Sequence, residues 1–185
     1  IGAFTSSITA LTPNTLYHVR AYATNTEGTS YGTDVSFTTL PLAPTITTQA
    51  ATNVATTTAT GNGNITVLGV PDPTQYGVVW DTAINPTIAL TTKTAQGAIS
   101  VTGPFTSNIT GLPPGTLYHV RAYATNTAGT SYGTDVTFTT IAVAPTITTQ
   151  AVTSISTATA TGNGTIVSLG GPNPTQYGVV WDTAI

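Results

Sequence analysis

Hydrophobic and polar residues alternate along short stretches of this chain, and such alternation predicts β-strands that bury one face. The clearest stretch is residues 117–125. One of its faces carries Tyr118, Val120, Ala122 and Ala124, and the other carries His119, Arg121 and Tyr123. Successive side chains of a strand point to opposite faces, so we expect the first set to be buried and the second to face solvent.

Similar stretches, separated by turn residues, predict about seven short strands in a unit of about a hundred residues. The strands predicted for one unit are residues 44–49, 54–60, 75–81, 105–110, 117–125 and 131–140. Gly61-Asn62-Gly63 predicts a turn or bulge after the second strand, because glycine and asparagine adopt the positive φ angles that turns require. The sequence has no long run of helix-forming residues at helical spacing. The pattern therefore predicts an all-β fold built from antiparallel β-sandwiches.

Two segments return letter for letter after a shift of 101 residues. Residues 16–26 recur as 117–127, and residues 74–84 recur as 175–185. A unit of this size can bury its own core, unlike the shorter repeats of solenoids. The period predicts the following division: residues 1–40, the C-terminal half of a sandwich repeat; 41–44, a linker; 45–140, a complete repeat; 141–145, a linker; and 146–185, the N-terminal half of a repeat.

Composition narrows the classes of function. Threonine takes the place of charge on the predicted outer faces, and charged residues make up only 5% of the chain. Arg20, Lys93 and Arg121 are the only basic residues besides histidine, too few for a phosphate-binding patch, so we expect no nucleic-acid partner. No apolar run reaches the length that spans a membrane. Cysteine is absent, which excludes disulfides and thiolate metal sites, and the lack of methionine as well fits exposed extracellular material.

The second half of each unit resembles a fibronectin type III domain. Residues 112–126, followed by Gly129, resemble the penultimate strand of that family and the turn before it, and residues 11–17 match in the same way. In that family a Leu-x-Pro-x-Thr-x-Tyr segment forms the tyrosine corner, and the resemblance assigns this role to Tyr17 and Tyr118. The threonine-rich units are most similar to fibronectin-like repeats of bacterial and archaeal cell-surface and secreted proteins.

The first half of each unit departs from the family pattern. Trp80 and Trp181 lie on the predicted third strand, as in immunoglobulin-type domains, rather than on the second strand. We expect both tryptophans to be core residues. The Arg-Gly-Asp loop of the integrin-binding modules is absent from the sequence, so the resemblance does not imply integrin binding.

The outer face of the strongest predicted strand is the candidate binding surface. Its polar and aromatic residues in the two copies are His18, Arg20, Tyr22, His119, Arg121 and Tyr123. A metal or catalytic site would need a cluster of His, Asp or Glu around the lone histidine of each unit, and the sequence predicts none. We therefore expect no catalytic residue, metal or cofactor, and no enzyme. A row of exposed aromatic rings would instead suit cell-surface glycans.

A module used repeatedly and joined by a proline-containing linker predicts a structural role. The leading hypothesis is a segment of an extracellular fibre, filament or cell-surface stalk, whose partners are copies of itself in head-to-tail or lateral contact. The alternative is an adhesin, or a carbohydrate-binding accessory module of a secreted protein. The two half-repeats either pair with further sequence of a longer protein, which we favour, or complete each other between chains by strand complementation.

Overall fold

The computed structural model describes residues 1–183; Ala184 and Ile185, the last residues of the predicted half-repeat 146–185, lie outside the described residues. Over the described range the strands are β1 (Leu16–Val19), β2 (Tyr22–Asn25), β3 (Gly28–Tyr31), β4 (Val35–Thr38), β5 (Thr45–Thr52), β6 (Thr58–Val67), β7 (Gln75–Asp81), β8 (Gly103–Thr110), β9 (Leu117–Asn126), β10 (Gly129–Tyr132), β11 (Val136–Thr139), β12 (Thr146–Thr153) and β13 (Thr161–Ser168). Within that range no helix is long and apolar enough to cross a membrane.

Strands β5 to β11 form a sandwich of two antiparallel sheets, which we call the complete unit. One sheet has the order β5-β6-β8. In the other sheet β9 is central, with β7 along one edge and β10 and β11 along the opposite edge. Within this sheet Trp80 lies opposite Val120. The prediction of an all-β, antiparallel sandwich of about seven strands is confirmed.

The hydrophobic core lies between the two sheets. Its buried residues are Ile46, Ala59, Ile65, Val78, Trp80, Phe105, Ile109, Leu112, Tyr118, Val120, Ala122, Ala124 and Phe138. The four residues that alternation assigned to the inner face of β9 are all among them. Polar contacts also cross between the sheets, since the buried Thr48 hydroxyl accepts a 3.0 Å hydrogen bond from the Ala122 N–H.

The predicted second strand, residues 54–60 followed by a turn or bulge at Gly61-Asn62-Gly63, differs in its bounds, and there is no turn, although the register with β5 shifts opposite Thr60 to Asn62. The strand is β6, and both glycines lie inside it. A Cβ atom at Gly63 would come within 2.5 Å of the Phe105 ring, and one at Gly61 within 2.9 Å of Val78. The glycines therefore make room for side chains packed against β6, and they do not turn the chain.

The predicted last strand, residues 131–140, is interrupted. It forms β10 and β11, which pair with different parts of β9 on either side of Gly133-Thr134-Asp135. A Cβ atom at Gly133 would lie 2.3 Å from the Thr48 nitrogen. The chain thus passes so close to β5 at this point that only glycine fits.

The remaining strands form two half-units. In residues 1–40, β1 pairs with β4 and β2 pairs with β3; in residues 146–183, β12 pairs with β13. Of the two tryptophans expected in the core, Trp80 is 9% exposed in the complete unit, and Trp181 is 88% exposed in the last half-unit. Within the described residues no second sheet packs over β12 and β13, so nothing covers the residues that correspond to the core.

Candidate functional site: a polar cluster and its covering segment

The candidate binding face of β9 is covered in the complete unit. Residues 82–102, the covering segment, follow β7 and hydrogen-bond to its free edge: the Thr94 N–H donates to the Val78 carbonyl at 2.8 Å, and the Trp80 N–H donates to the Thr92 carbonyl at 3.0 Å. The Tyr123 hydroxyl donates to the Thr94 carbonyl at 2.5 Å. Tyr123 is 1% exposed. The prediction that Tyr123 faces solvent is therefore wrong.

His119 and Asp135 form the centre of a polar cluster beneath this segment. His119 Nδ1 lies 3.0 Å from both oxygens of the Asp135 carboxylate. The same carboxylate accepts a 2.7 Å hydrogen bond from the Asn85 N–H, and the Tyr132 hydroxyl accepts one of 3.0 Å from the Ile88 N–H. The cluster thus fixes the covering segment to β9 and to the chain between β10 and β11.

Arg121 and Lys93, the two cations near the cluster, are held by hydrogen bonds to main-chain carbonyls. Arg121 Nε donates to the Gly133 carbonyl at 3.0 Å, and its guanidinium lies 4.5 Å from the centre of the Tyr132 ring. The Lys93 ammonium donates to two carbonyls of its own segment at 2.7 and 2.6 Å. Both cations therefore stabilise the local chain.

The first copy has the same local geometry but is open to solvent. His18 Nδ1 lies 2.6 Å from the Asp34 carboxylate, and both side chains are at least half exposed. Arg20 Nε donates to the Gly32 carbonyl at 2.9 Å and lies over the Tyr31 ring. Tyr22, the counterpart of Tyr123, is 66% exposed. The strand pairing alone therefore holds the cluster, and the covering segment buries it.

This arrangement is a hydrogen-bond network. Each histidine contacts one carboxylate, His18 that of Asp34 and His119 that of Asp135. On the adjacent strand β7, Asp81 lies opposite His119 in the register. Among residues 1–183 no group of three or more His, Asp or Glu side chains could hold a metal ion. The cluster can hold segments of the chain in place. In the complete unit it holds the covering segment.

The two tyrosines assigned to the tyrosine corner have different environments. The Tyr17 hydroxyl accepts a 2.8 Å hydrogen bond from the Thr12 N–H, and hydrogen bonding to Thr12, first through its side chain and then through this N–H, lowers the pKa of Tyr17. Pro113 takes the place of Thr12 in the second copy, and proline has no N–H to donate. At Tyr118 burial raises the pKa, and the nearby charge of Asp81 raises it further. Each tyrosine ring stacks on a phenylalanine of the adjacent strand.

Asn126 contacts the first linker, and the sequence did not predict this contact. Its side-chain amide donates 2.8 Å hydrogen bonds to the carbonyls of Leu42, in the first linker, and of Pro71. Leu42 and Val70 also exchange two backbone hydrogen bonds, of 2.9 and 2.8 Å. At the start of an Asn-Thr-Ala-Gly turn, Asn126 has the sequence signature of a turn residue, and nothing in that signature indicates a contact with the linker.

Hydrogen bonds hold the chain on both sides of each linker. The first linker is bonded to the complete unit through Leu42, and Leu40, the last residue of the preceding half-unit, accepts a 3.1 Å hydrogen bond from Asn14 of that half-unit. In the second linker, Val143 and Gly171 exchange two hydrogen bonds of 2.9 Å, and the Ile141 carbonyl accepts one of 3.3 Å from Gly115. The second linker is therefore bonded to both neighbouring units, and at the first linker only Pro41 separates the two bonded residues.

No family model matches the sequence, and no curated protein matches it. The structure is similar to solved β-domains at low identity. The sensor domain of the anti-sigma factor RsgI4 of Pseudobacteroides cellulosolvens is 18% identical, with a TM-score of 0.39 over 53% of this chain and 94% of that one. A human fibronectin type III domain from KIAA0970 is 16% identical, with a TM-score of 0.37 over 52% and 72%. The FN1–FN3 domains of chicken CNTN1 are 16% identical, with a TM-score of 0.40 over 71% and 45%.

Proposed function

We propose that this chain is a structural segment of an extracellular fibre, filament or cell-surface stalk, in which sandwich units are held in a fixed order along a stiff rod. The observation that carries the proposal is the hydrogen bonding of the chain on both sides of each linker. A linker that only tethers domains leaves its backbone groups to water, and the domains then move independently. Here Asn126 and Val70 bind Leu42 of the first linker, and Asn14 binds Leu40, the residue immediately before that linker.

The surface chemistry supports association between such rods. The outer face of the β5-β6-β8 sheet carries uncharged threonine, asparagine and glutamine side chains in facing register, such as Gln49 and Thr106 on either side of Asn62. With so few charges, little repulsion opposes lateral contact with copies of the same chain. Association through the sandwich units, including strand complementation between chains, would extend the rod beyond one polypeptide.

The role of adhesin or glycan-binding module has weaker support. A sugar-binding platform needs several exposed aromatic rings on one face. In the complete unit Tyr123 is buried and Tyr132 binds both Arg121 and the covering segment. The exposed pair Tyr22 and Tyr31 occurs on the first half-unit only, with ring centres 6.3 Å apart and planes tilted by 40°.

The stiffness of the first linker can be measured directly, because the chain has no cysteine of its own. Spin labels on Thr29→Cys in the first half-unit and Thr106→Cys in the complete unit report the distance across the linker, with unlabelled chain added to suppress signals between molecules. We expect one narrow distance distribution. Replacing residues 41–44 with a glycine–serine sequence of the same length should broaden it. An equally broad distribution for the unmodified chain would contradict the stiff rod.

A further inference from the structure

At the second linker two consecutive units are in direct contact. The segment Pro114-Gly115, before β9, lies against Gly171-Pro172, after β13. A Cβ atom at Gly115 would lie 2.6 Å from Pro172 Cδ and 2.8 Å from the Gly171 carbonyl oxygen, and one at Gly171 would lie 2.8 Å from Pro114 Cβ. We call a linker with the two loops beside it a junction. The loops of the second junction thus leave no room for a side chain at either glycine.

Neither of these glycines is required by its φ angle. Gly171 has no positive φ angle, so its backbone conformation is open to other residues. Gly115 has a φ of 62°, but Asn14, its counterpart in the first copy, adopts a similar φ of 49°. Asparagine is one of the few residues with a side chain that visit this conformation. The contact therefore depends on the space that the glycines leave and not on their conformational freedom.

The first junction cannot have the same contact. Shifting Gly115 and Gly171 back by 101 residues gives Asn14 and Val70. Each of these residues has a Cβ atom at a position where the second junction has no room for one. The backbone fixes where a Cβ atom lies, so rotation of the side chain cannot relieve the overlap, and the backbone itself must shift. The units on either side of the first linker must therefore lie farther apart at this point, or at a different angle.

The two linkers also differ at the residue between their bonded ends. Leu42 exchanges two backbone hydrogen bonds with the unit after the first linker, and Val143 does the same after the second. The residue before each is Pro41 in the first linker and Ala142 in the second. Proline fixes its φ angle at about −65°, whereas alanine adopts other values as well. The glycine pair thus occurs with the linker that can adjust its backbone, and the larger pair with the restricted one.

We propose that Gly115 and Gly171 determine how closely the consecutive units approach. The loop that contains Gly115 is an interaction surface, and its partner is the loop of a following unit that has glycine at the position of Gly171. A pair with side chains, as at Asn14 and Val70, gives a wider junction. The mutual arrangement of units along the rod then varies with these residues, and to that extent the proposal rests on the proposed function.

Equivalent distances across the two junctions of the full chain provide the first test. Spin labels on Ser36→Cys and Thr47→Cys span the first junction, and labels on Thr137→Cys and Thr148→Cys, each 101 residues later, span the second. All four side chains are exposed. Unlabelled chain is added to suppress signals between molecules. We expect two narrow distance distributions with different maxima, because the two junctions cannot share one geometry.

Substitutions at the glycines provide the second test. Gly115→Asn gives the second junction the residue of the first, with a φ angle that asparagine tolerates. Its Cβ atom needs about 1 Å more space than it has, since carbon atoms pack at about 3.5–4.0 Å, so the maximum across the second junction should shift by at least that amount. Gly171→Val should act in the same way. Gly111→Asn is the matched control, because Gly111 lies in the same loop with a φ of 73° and nothing within 4 Å of its Cβ position.

Three outcomes would overturn the proposal. Equal maxima across the two junctions would show that the residue pair does not determine the spacing. A broad distribution across the second junction would show that its loops are not in fixed contact. Shifts for Gly115→Asn and Gly171→Val no larger than that for Gly111→Asn would show that the space at the glycines is not used. The stiff rod is tested by the width of the distribution across the first linker, so it can hold when the maxima coincide and fail when the second junction keeps its contact.

Discussion

The side-chain amide of Asn126 donates a 2.8 Å hydrogen bond to the main-chain carbonyl of Leu42, which lies 84 residues earlier in the chain. A second 2.8 Å bond runs to the Pro71 carbonyl, and the side-chain oxygen accepts a 2.9 Å bond from the Ala128 N–H. One buried side chain therefore connects the first linker, the loop before β7 and the turn after β9. Through these hydrogen bonds the first linker is packed against the complete unit.

Asn126→Ala should destabilise the complete unit by about 1–3 kcal/mol, because it removes the two hydrogen bonds of a buried amide, although the Leu42 carbonyl keeps its bond from the Val70 N–H. Asn25 is the matched control, since it occupies the same place in the first copy and is exposed. Its oxygen accepts the turn bonds, but its amide is not bonded to a linker in the described structure. Asn25→Ala should cost about 1 kcal/mol or less. Urea unfolding measures both, and equal losses would show that the turn, and not the linker contact, determines the effect.

Tyr123→Phe should weaken the attachment of the covering segment to β9 without creating a large cavity in the core. The substitution removes the hydroxyl that binds the Thr94 carbonyl, and the expected loss is about 1–2 kcal/mol. We also expect faster amide exchange at Thr94, whose N–H bonds to β7. Tyr22→Phe in the first copy should leave stability within about 0.5 kcal/mol, because that side chain is exposed. Unchanged exchange at Thr94 in the Tyr123→Phe variant would argue against the hydroxyl as an anchor.

The alternation of hydrophobic and polar residues predicted a strand correctly where the opposite sheet covers one of its faces. The bounds of β7 agree with the predicted residues 75–81, and the inner face of β9 is the predicted one. Tyr123 was predicted to face solvent because alternation shows only which residues share a face of a strand, and not what packs against that face. Its burial depends on the covering segment, whose own sequence lacks alternation and gives no sign of where it lies.

Glycine was the other source of error, because one residue type serves two physical purposes. Gly61 and Gly63 were interpreted as turn residues, but neither has a positive φ angle. Their role is to leave space for the side chains of Val78 and Phe105, which lie far away in the sequence. A local pattern cannot distinguish a glycine needed for its φ angle from one needed for the space it leaves. The linker contact of Asn126 was missed for the same reason, since it is a tertiary contact of a turn residue.

The two corner tyrosines should affect stability in opposite directions at high pH. Burial and Asp81 raise the pKa of Tyr118 above its ordinary value of about 10, so the folded protein retains this proton longer than the unfolded chain does. The free energy of unfolding should therefore fall as the pH rises from about 10 through the raised pKa. Tyr118→Phe should reduce this fall in urea titrations between about pH 8 and 11.

Tyr17→Phe supplies the comparison for this pH dependence. The hydrogen bond from Thr12 lowers the pKa of Tyr17, so its ionisation favours the folded state as the pH approaches 10. Replacing it should not reduce the alkaline loss of stability. A Pro113→Thr substitution should bring the pKa of Tyr118 closer to that of Tyr17 by restoring a donor. If Tyr118→Phe and wild type lose stability in parallel, the raised pKa of Tyr118 is not the cause of the alkaline loss.

Asp135 should matter for stability much more than its equivalent Asp34, although both contact a histidine. The Asp135 carboxylate is largely buried and also binds the Asn85 N–H of the covering segment, whereas Asp34 is half exposed. Hydrogen bonds to a charged, buried acceptor are worth more than neutral ones, so Asp135→Ala should cost about 1–3 kcal/mol. An exposed pair contributes little, and Asp34→Ala should cost about 0.5 kcal/mol or less. Thermal unfolding of both variants, with Asp135→Asn retaining one acceptor oxygen as an intermediate case, tests the argument. If Asp34→Ala and Asp135→Ala lower the free energy of unfolding equally, the contact with the covering segment does not contribute to stability.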